Sequence, residues 1–199
     1  MTTAPAPALI SAAGLSLERG GRTLLTGVGL AVAPGQALIV HGPNGSGKTT
    51  LLRALAGLVR PAAGSITRVE AGEVAFLGHA DGLKPAETVG EALEFWARLF
   101  GADAMAVEHA MASYAIAHLS RRGCDRLSAG QRRRVALARV LLSGRRLWLL
   151  DEPAAPLDAR GRTLLARAVE HHCAQGGAVV AATHVDLGWT RAQVLELGA

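Results

Sequence analysis

The chain has 199 residues, 50% of them from the AVILMFWYC set, which suits one compact domain with a sizeable core and argues against disorder. Aromatics make up only 4% and the apolar share is mostly Ala, Leu and Val, which fits helices and a buried parallel sheet better than an antiparallel sandwich; every hydrophobic run is interrupted short of the ~18 residues a bilayer span needs, so any membrane role comes through a partner. The formal net charge is +5, with 19 Arg among 21 cations, a balance compatible with nucleic acid, an anionic membrane surface or a phosphate ligand that selects none of them.

Met1 to Ala8 holds Pro5 and Pro7 but no basic stretch leading into an apolar core, so it reads as a frayed start and not a secretion signal. Leu9 to Ala33 carries short alternating patches around Gly20-Gly21 and is expected to form an antiparallel β edge. Ala37 to Val40 is continuously apolar, as a central strand covered on both faces should be. Beyond the glycine-rich Gly42 to Thr49, Leu51, Leu55 and Leu58 recur on one face of a helix stopped by Pro61. Glu87 to Phe100 and Val107 to Leu119 read as helices with no strong strand between them, so the stretch from Lys84 to Leu127 is taken as a helical insertion. Ser128 to Ser143 and Leu164 to Cys173 are further helices, and Leu147 to Leu150 and Ala178 to Ala182 further buried strands. No repeat or low-complexity linker divides the chain, so it reads as one folding unit.

Strands alternating with helices predict an open α/β sheet with helices on both faces. Ligands in such sheets bind beyond the carboxyl ends of the strands, which directs attention to Gly42 to Thr49, to Asp151 with Glu152, and to Thr183 with His184. Gly42-Pro43-Asn44-Gly45-Ser46-Gly47-Lys48-Thr49 satisfies G-x-x-x-x-G-K-[ST] between a strand and a helix. Backbone N–H groups in such a loop close around phosphate, the helix start adds partial positive charge, Lys48 reaches the β- and γ-oxygens, and Thr49 holds Mg²⁺. Asp151 is placed to bind the magnesium shell and Glu152 to polarise an attacking water. Leu127-Ser128-Ala129-Gly130-Gln131 has two readings: Ser128 and Gln131 as a capping box, or a helix start directed at a phosphate on another subunit.

With these motifs in this order, the chain resembles the nucleotide-binding subunits of ATP-binding cassette transporters over nearly its whole length. The signature segment Leu127 to Gln131 departs only in Ala129, where the family has Gly; Ala155-Pro156-Leu157-Asp158 matches the D-loop and His184 the switch histidine. The resemblance implies a P-loop NTPase of RecA-like type with an antiparallel β edge, a single domain in which residues 1–84 and 128–199 form the nucleotide core and 85–127 the helical subdomain. It further implies ATP and Mg²⁺ as ligands, with Gly42 to Thr49, Thr50 and Arg19 on the nucleotide and Thr49 and Asp151 on the metal. Lys48, Glu152, His184 and His79 are the implied catalytic set, and Ser128, Gly130 and Gln131 the implied contribution of a second, head-to-tail copy that seals the site. Two departures stand out. Arg19 occupies the place of an aromatic that stacks on adenine, and a guanidinium plane can stack while changing base selectivity. His79 replaces the glutamine that links metal and water to the membrane subunit, and an imidazole there is expected to make coupling pH-sensitive.

Gly78-His79, Asp81-Gly82-Leu83-Lys84, the Leu127 to Gln131 signature, Leu147 to Pro153 and Thr183-His184-Val185-Asp186-Leu187 together look like the haem-exporter ATPases of bacterial cytochrome c maturation. That resemblance implies a membrane permease partner, further haem-handling membrane proteins, no nucleic acid, and a peripheral place on the cytoplasmic face of the inner membrane; the alternative is an ATPase serving a permease for a peptide or drug. Cys124 and Cys173, without a CxxC pair, point to free thiols in a reducing compartment. His171-His172-Cys173 invites a metal reading, but adjacent helical residues point in different directions. Arg132-Arg133-Arg134 are expected to face solvent, neighbouring acids or the dimer seam. Trp96 and Phe100, spaced i and i+4, suit either the groove that receives a permease helix or a core contact.

Overall fold

A computed structural model of the chain describes residues 7–198; the opening stretch up to Ala6, the larger part of the frayed start, lies outside the described residues. Strands β1 (Ile10–Arg19) and β2 (Arg22–Val32) form the expected antiparallel hairpin, turned by Gly20 and Gly21 at φ 59° and 73°. Two successive left-handed residues make the tight connection whose twist matches its flanking strands, and glycine adopts them without steric cost. Strand β3 (Ala37–His41) leads into helix α1 (Lys48–Leu55), and β4 (Ala63–Arg68) returns to pair antiparallel with β1. Strand β5 (Val74–Leu77) comes next, then helices α2 (Val89–Phe100), α3 (Ala104–Ser113) and α4 (Ala129–Leu142). Strand β6 (Leu147–Asp151), helix α5 (Ala159–Ala174) and strands β7 (Ala178–Thr183) and β8 (Gln193–Glu196) complete the chain.

Among the described residues the strands make two sheets: a three-stranded antiparallel sheet, β2-β1-β4, and a five-stranded parallel sheet, β5-β6-β7-β3-β8. The parallel sheet separates two apolar cores by strand alternation. Leu38, Val40, Leu147, Leu149, Val180 and Ala182 join Leu51, Leu52 and Leu55 of α1 and the inward residues of the antiparallel sheet. Ile39, Trp148, Leu150, Val179 and Ala181 face the other way, toward α4, α5 and the α2–α3 helices. Full burial on both faces explains why β3, β6 and β7 are continuous apolar runs and not alternating ones.

The structure corrects several boundaries. Helix α1 stops at Leu55, before Pro61, because Gly57 turns left-handed at φ 79° and the Leu58 N–H bonds back to the Arg53 carbonyl; Leu58, expected on the buried face, is exposed. The Val107 to Leu119 helix divides: α3 ends at Ser113, Ala115 sits at φ 51°, the Ile116 N–H reaches the Met111 carbonyl, and only a short 3₁₀ turn spans Ala117–Leu119. Helix α5 begins five residues earlier than Leu164, since the Asp158 carboxylate caps it by accepting the Gly161 N–H at 2.7 Å. Strands β4, β5 and β8 have no counterpart in the expected elements. Helix α2 is held at its start by a capping box of Thr88 and Glu91 and ended by left-handed Gly101.

Candidate functional site

The strand register brings the three segments singled out in the sequence to one edge. His41 pairs with Thr183, Val40 with Ala182, and Asp151 with Ala182, so β3, β6 and β7 end in the same row. The segments leaving these strand ends are therefore adjacent: the glycine-rich loop, Asp151-Glu152, and Thr183-His184. Leu77 of β5 pairs with Leu150, which sets Gly78 and His79 beside Asp151. An open cleft of about 800 Å³ lies over this edge, within the ~300–1,000 Å³ range of small-ligand sites. Asn44, Gly45, Gly47, Lys48, Thr49 and Thr50 line one side; Arg19 and Leu24 stand at the β1–β2 end, and His79, Glu152 and His184 lie opposite.

The loop prepares an anion cradle. Gly47 caps α1 at φ 94°, a conformation that a side chain would oppose, and in it the loop turns into the first helical N–H groups. Gly42, Pro43 and Ser46 belong to this turn without lining the cleft wall. Lys48 is buried, and its Nζ donates to the carbonyls of Gly42 at 2.6 Å and Pro43 at 2.9 Å while lying 3.9 Å from Glu152 Oε1. These bonds satisfy a cation that would otherwise be costly to bury, and they hold the ammonium at the rim of the turn. Thr49 Oγ1 donates to both carboxylate oxygens of Asp151, at 3.1 and 3.0 Å. This hydroxyl and carboxylate form an oxygen-only donor pair suited to a hard divalent cation.

Glu152 is the most constrained acid of the cleft. Its φ of 47° is unusual for a residue with a side chain, and its N–H bonds to the Ala182 carbonyl at 2.8 Å. The carboxylate meets His184 Nδ1 at 2.9 Å and accepts the Thr183 hydroxyl at 3.2 Å. A carboxylate oriented from two sides beside a buried lysine is arranged to position and polarise a water rather than to swing freely.

Burial holds the Asp151 carboxyl above its usual range and Glu152 adds to the rise, while the Thr49 hydrogen bond and the charges of Arg133 and His79 pull it down. Because folding raises this pKa, the ionised group costs stability: the contribution is full below the unfolded value and is lost as pH rises through the folded one. Asp151→Asn is therefore expected to raise the Tm of the nucleotide- and metal-free protein at neutral pH. The difference narrows on acidification. An unchanged or lower Tm at neutral pH, measured by calorimetry, would contradict it.

Other singled-out residues fall elsewhere. Ser128 and Gln131 form a reciprocal capping box at the start of α4, with the Gln131 N–H to Ser128 Oγ at 3.2 Å and the Ser128 N–H to Gln131 Oε1 at 3.0 Å. Within one chain the capping reading is realised; Ser128 and Gly130 do not line the cleft, where only Ala129 of that helix start appears. Ser128 is exposed, and its hydroxyl keeps its own proton for donation. His172 stacks on Trp148 with centroids 3.9 Å apart and bonds to the Arg146 carbonyl, a packing role; burial lowers its pKa. Trp96 and Phe100 stack at 5.5 Å, with Arg139 over the first and Arg145 over the second, and they border a second groove with Leu58, Phe76 and Leu99.

Arg133 was not among the expected site residues, yet it is only 2% exposed and reaches the cleft's floor. Of the outcomes expected for the three arginines it takes the neighbouring acid, though from a buried position: Arg133 pairs with Asp81 at 3.0 Å, while Arg132 donates to the Leu127 carbonyl and Arg134 to that of Tyr114. Its burial is not legible in the apolar pattern: Ala136, Leu137 and Val140 follow Arg133 at i+3, i+4 and i+7, but Leu137, Ala138 and Leu141 follow the less buried Arg134 at the same spacing.

The sequence pattern of the ABC transporter family matches residues 25–155. The chain is 50% identical to the Cytochrome c biogenesis ATP-binding export protein CcmA of Maricaulis maris, over 97% of this chain and 94% of that protein. It is 49% identical to the protein of that name from Roseobacter denitrificans, over 95% and 90%. Among solved structures, an ATP-binding subunit of an ABC transporter superposes with a TM-score of 0.84 at 21% identity, covering 95% of this chain and 85% of that one. A putative ABC transporter ATP-binding protein from Pyrococcus furiosus gives 0.84 at 24%, covering 94% and 96%.

Proposed function

Since the chain belongs to the ABC transporter ATP-binding family, we propose that it is the ATP-hydrolysing subunit of a cytochrome c biogenesis exporter. Its relatives at 45–50% identity over nearly the full chain carry that name, and the groups such a reaction would take from one chain meet in or beside the cleft. The observation that carries the reading is the meeting of Lys48, Thr49–Asp151 and the His184–Glu152 pair at one sheet edge. The loop amides and Lys48 bind the β- and γ-phosphates, Lys48 exchanging its loop carbonyls for phosphate oxygens. Thr49 and Asp151 would hold Mg²⁺, which would neutralise phosphate charge. Glu152, oriented by His184 and Thr183, aligns the attacking water and takes its proton; Arg19 stacks beneath the base.

A second copy, docked head to tail, brings Ser128, Gly130 and Gln131 over the nucleotide, so that ATP closes the dimer and hydrolysis opens it. Among the described residues no helix is long and apolar enough to cross a membrane; the likeness to the CcmA export proteins supports a subunit that works through an integral-membrane permease at the cytoplasmic face of the bacterial inner membrane. The groove of Leu58, Phe76, Trp96, Leu99 and Phe100 receives a permease helix, and the segment carrying His79 couples that contact to the cleft. Further haem-handling membrane proteins belong to the same assembly.

Deleting the gene and staining membranes for covalent haem tests the assignment. Loss of all c-type cytochromes, restored by the wild-type gene but not by the Glu152→Gln form, is the expected result. An unchanged cytochrome pattern, or co-purification with a permease unrelated to cytochrome assembly, would assign the subunit to another exporter.

A further inference from the structure

The guanidinium of Arg133 uses all of its N–H donors, and every acceptor lies on a segment of the candidate site. Nη1 donates to the Gly78 carbonyl and to Asp81 Oδ1, both at 3.0 Å. Nη2 donates to the carbonyls of Asp151 and, at 3.0 Å, Glu152, and Nε to that of Pro153 at 3.4 Å. Arginine carries five donors in a rigid planar fork, and here five acceptors from two loops converge on it. The loop after β5 carries His79; the turn after β6 carries Glu152 in its left-handed conformation. Arg133 itself stands on the second turn of α4, the helix whose start is Ser128.

We propose that Arg133 is a positioning residue: it clasps the His79 loop, the Glu152 turn and the start of α4 into one unit, so that movement of the His79 loop displaces the hydrolytic carboxylate. Three physical features support this. Such a buried fork is stable only while its charge and donors are matched, so the loops cannot separate without stranding a cation and several carbonyls. Among the described residues Asp81 supplies the only carboxylate bonded to it, placing the charge balance of the clasp on the His79-loop side rather than on the strand side. The Glu152 backbone conformation is intrinsically unfavourable, and hydrogen bonds to the carbonyls on both sides of its peptide unit help to hold it. A lysine at 133 has three donors on a flexible stem and cannot span both loops at once.

The inference rests on the ATPase reading, and its test separates the two. Full-length chain is co-purified with its permease as wild type, Arg133→Lys and Asp81→Asn, and three quantities are measured: steady-state ATPase parameters, equilibrium binding of a fluorescent ATP analogue, and hydrogen–deuterium exchange. For Arg133→Lys, kcat is expected to fall about 10–100-fold, as small misplacements of a reacting group do, with KM for ATP and analogue affinity within about threefold. Asp81→Asn, which leaves the buried arginine in place and serves if Arg133→Lys does not fold, should lower kcat about 3–10-fold on the same principle. In both variants exchange should rise together in residues 78–82 and 152–156. The clasp is overturned if exchange rises only around the substituted residue, if kcat stays within twofold of wild type, or if affinity and kcat fall in parallel. A wild-type complex that binds but does not hydrolyse ATP would overturn the ATPase reading instead, and the exchange data then decide the clasp alone.

Discussion

Glu152→Gln is expected to lower ATP turnover by about 10²–10⁴-fold, the usual contribution of a positioned general base, while leaving nucleotide binding intact. The amide keeps the length and planarity of the carboxylate, so the contacts with His184 at 2.9 Å and Thr183 at 3.2 Å can persist, and the backbone at φ 47° is unaffected. What is lost is the basic oxygen that takes a proton from water. With hydrolysis blocked and binding retained, the closed form accumulates, and gel filtration in ATP should show a stable dimer that wild type shows only transiently. A Glu152→Gln protein that stays monomeric at saturating ATP would count against a site shared between two copies.

Lys48→Ala should act one step earlier. The ammonium offers three donors at the mouth of the phosphate turn, two of them held by the Gly42 and Pro43 carbonyls. Charge-assisted hydrogen bonds of this kind contribute roughly 1.5–3 kcal/mol each, so removing the group should weaken ATP about 10–100-fold, read by titration calorimetry. No ATP-induced dimer should then form at concentrations that saturate wild type. The two substitutions thus separate binding from chemistry: one traps the nucleotide, the other fails to capture it. Wild-type affinity in Lys48→Ala would show that the loop amides and metal suffice without the ammonium.

How far the fold can be read from the sequence depends on burial. Strands β3, β6 and β7 are legible because helices and sheet cover both their faces, leaving runs such as Leu147-Trp148-Leu149-Leu150 with no polar interruption. Strand β4, Ala-Gly-Ser-Ile-Thr-Arg, is mostly exposed and offers neither run nor alternation, and β8 is a four-residue edge defined by its pairing with β3. The phosphate turn and Asp151-Glu152 announce themselves as contiguous motifs. Arg133 does not, because an arginine triplet on a helix suggests solvent by composition, and apolar residues follow Arg134 at i+3, i+4 and i+7 as they follow Arg133; only the acceptors gathered around it single out the middle one. The capping box and the signature segment share the same atoms, so the single chain displays the first role, and the proposed second one calls for another copy.

The partition of the interior by the parallel sheet gives neighbouring residues different listeners. Along β6, Leu149 rests against α1 beneath the phosphate turn, whereas Trp148 and Leu150 rest against the helices that include α4. Side chains one position apart can thus tune opposite halves of the molecule, the helix behind the glycine-rich turn on one side and the helix that starts at Ser128 on the other.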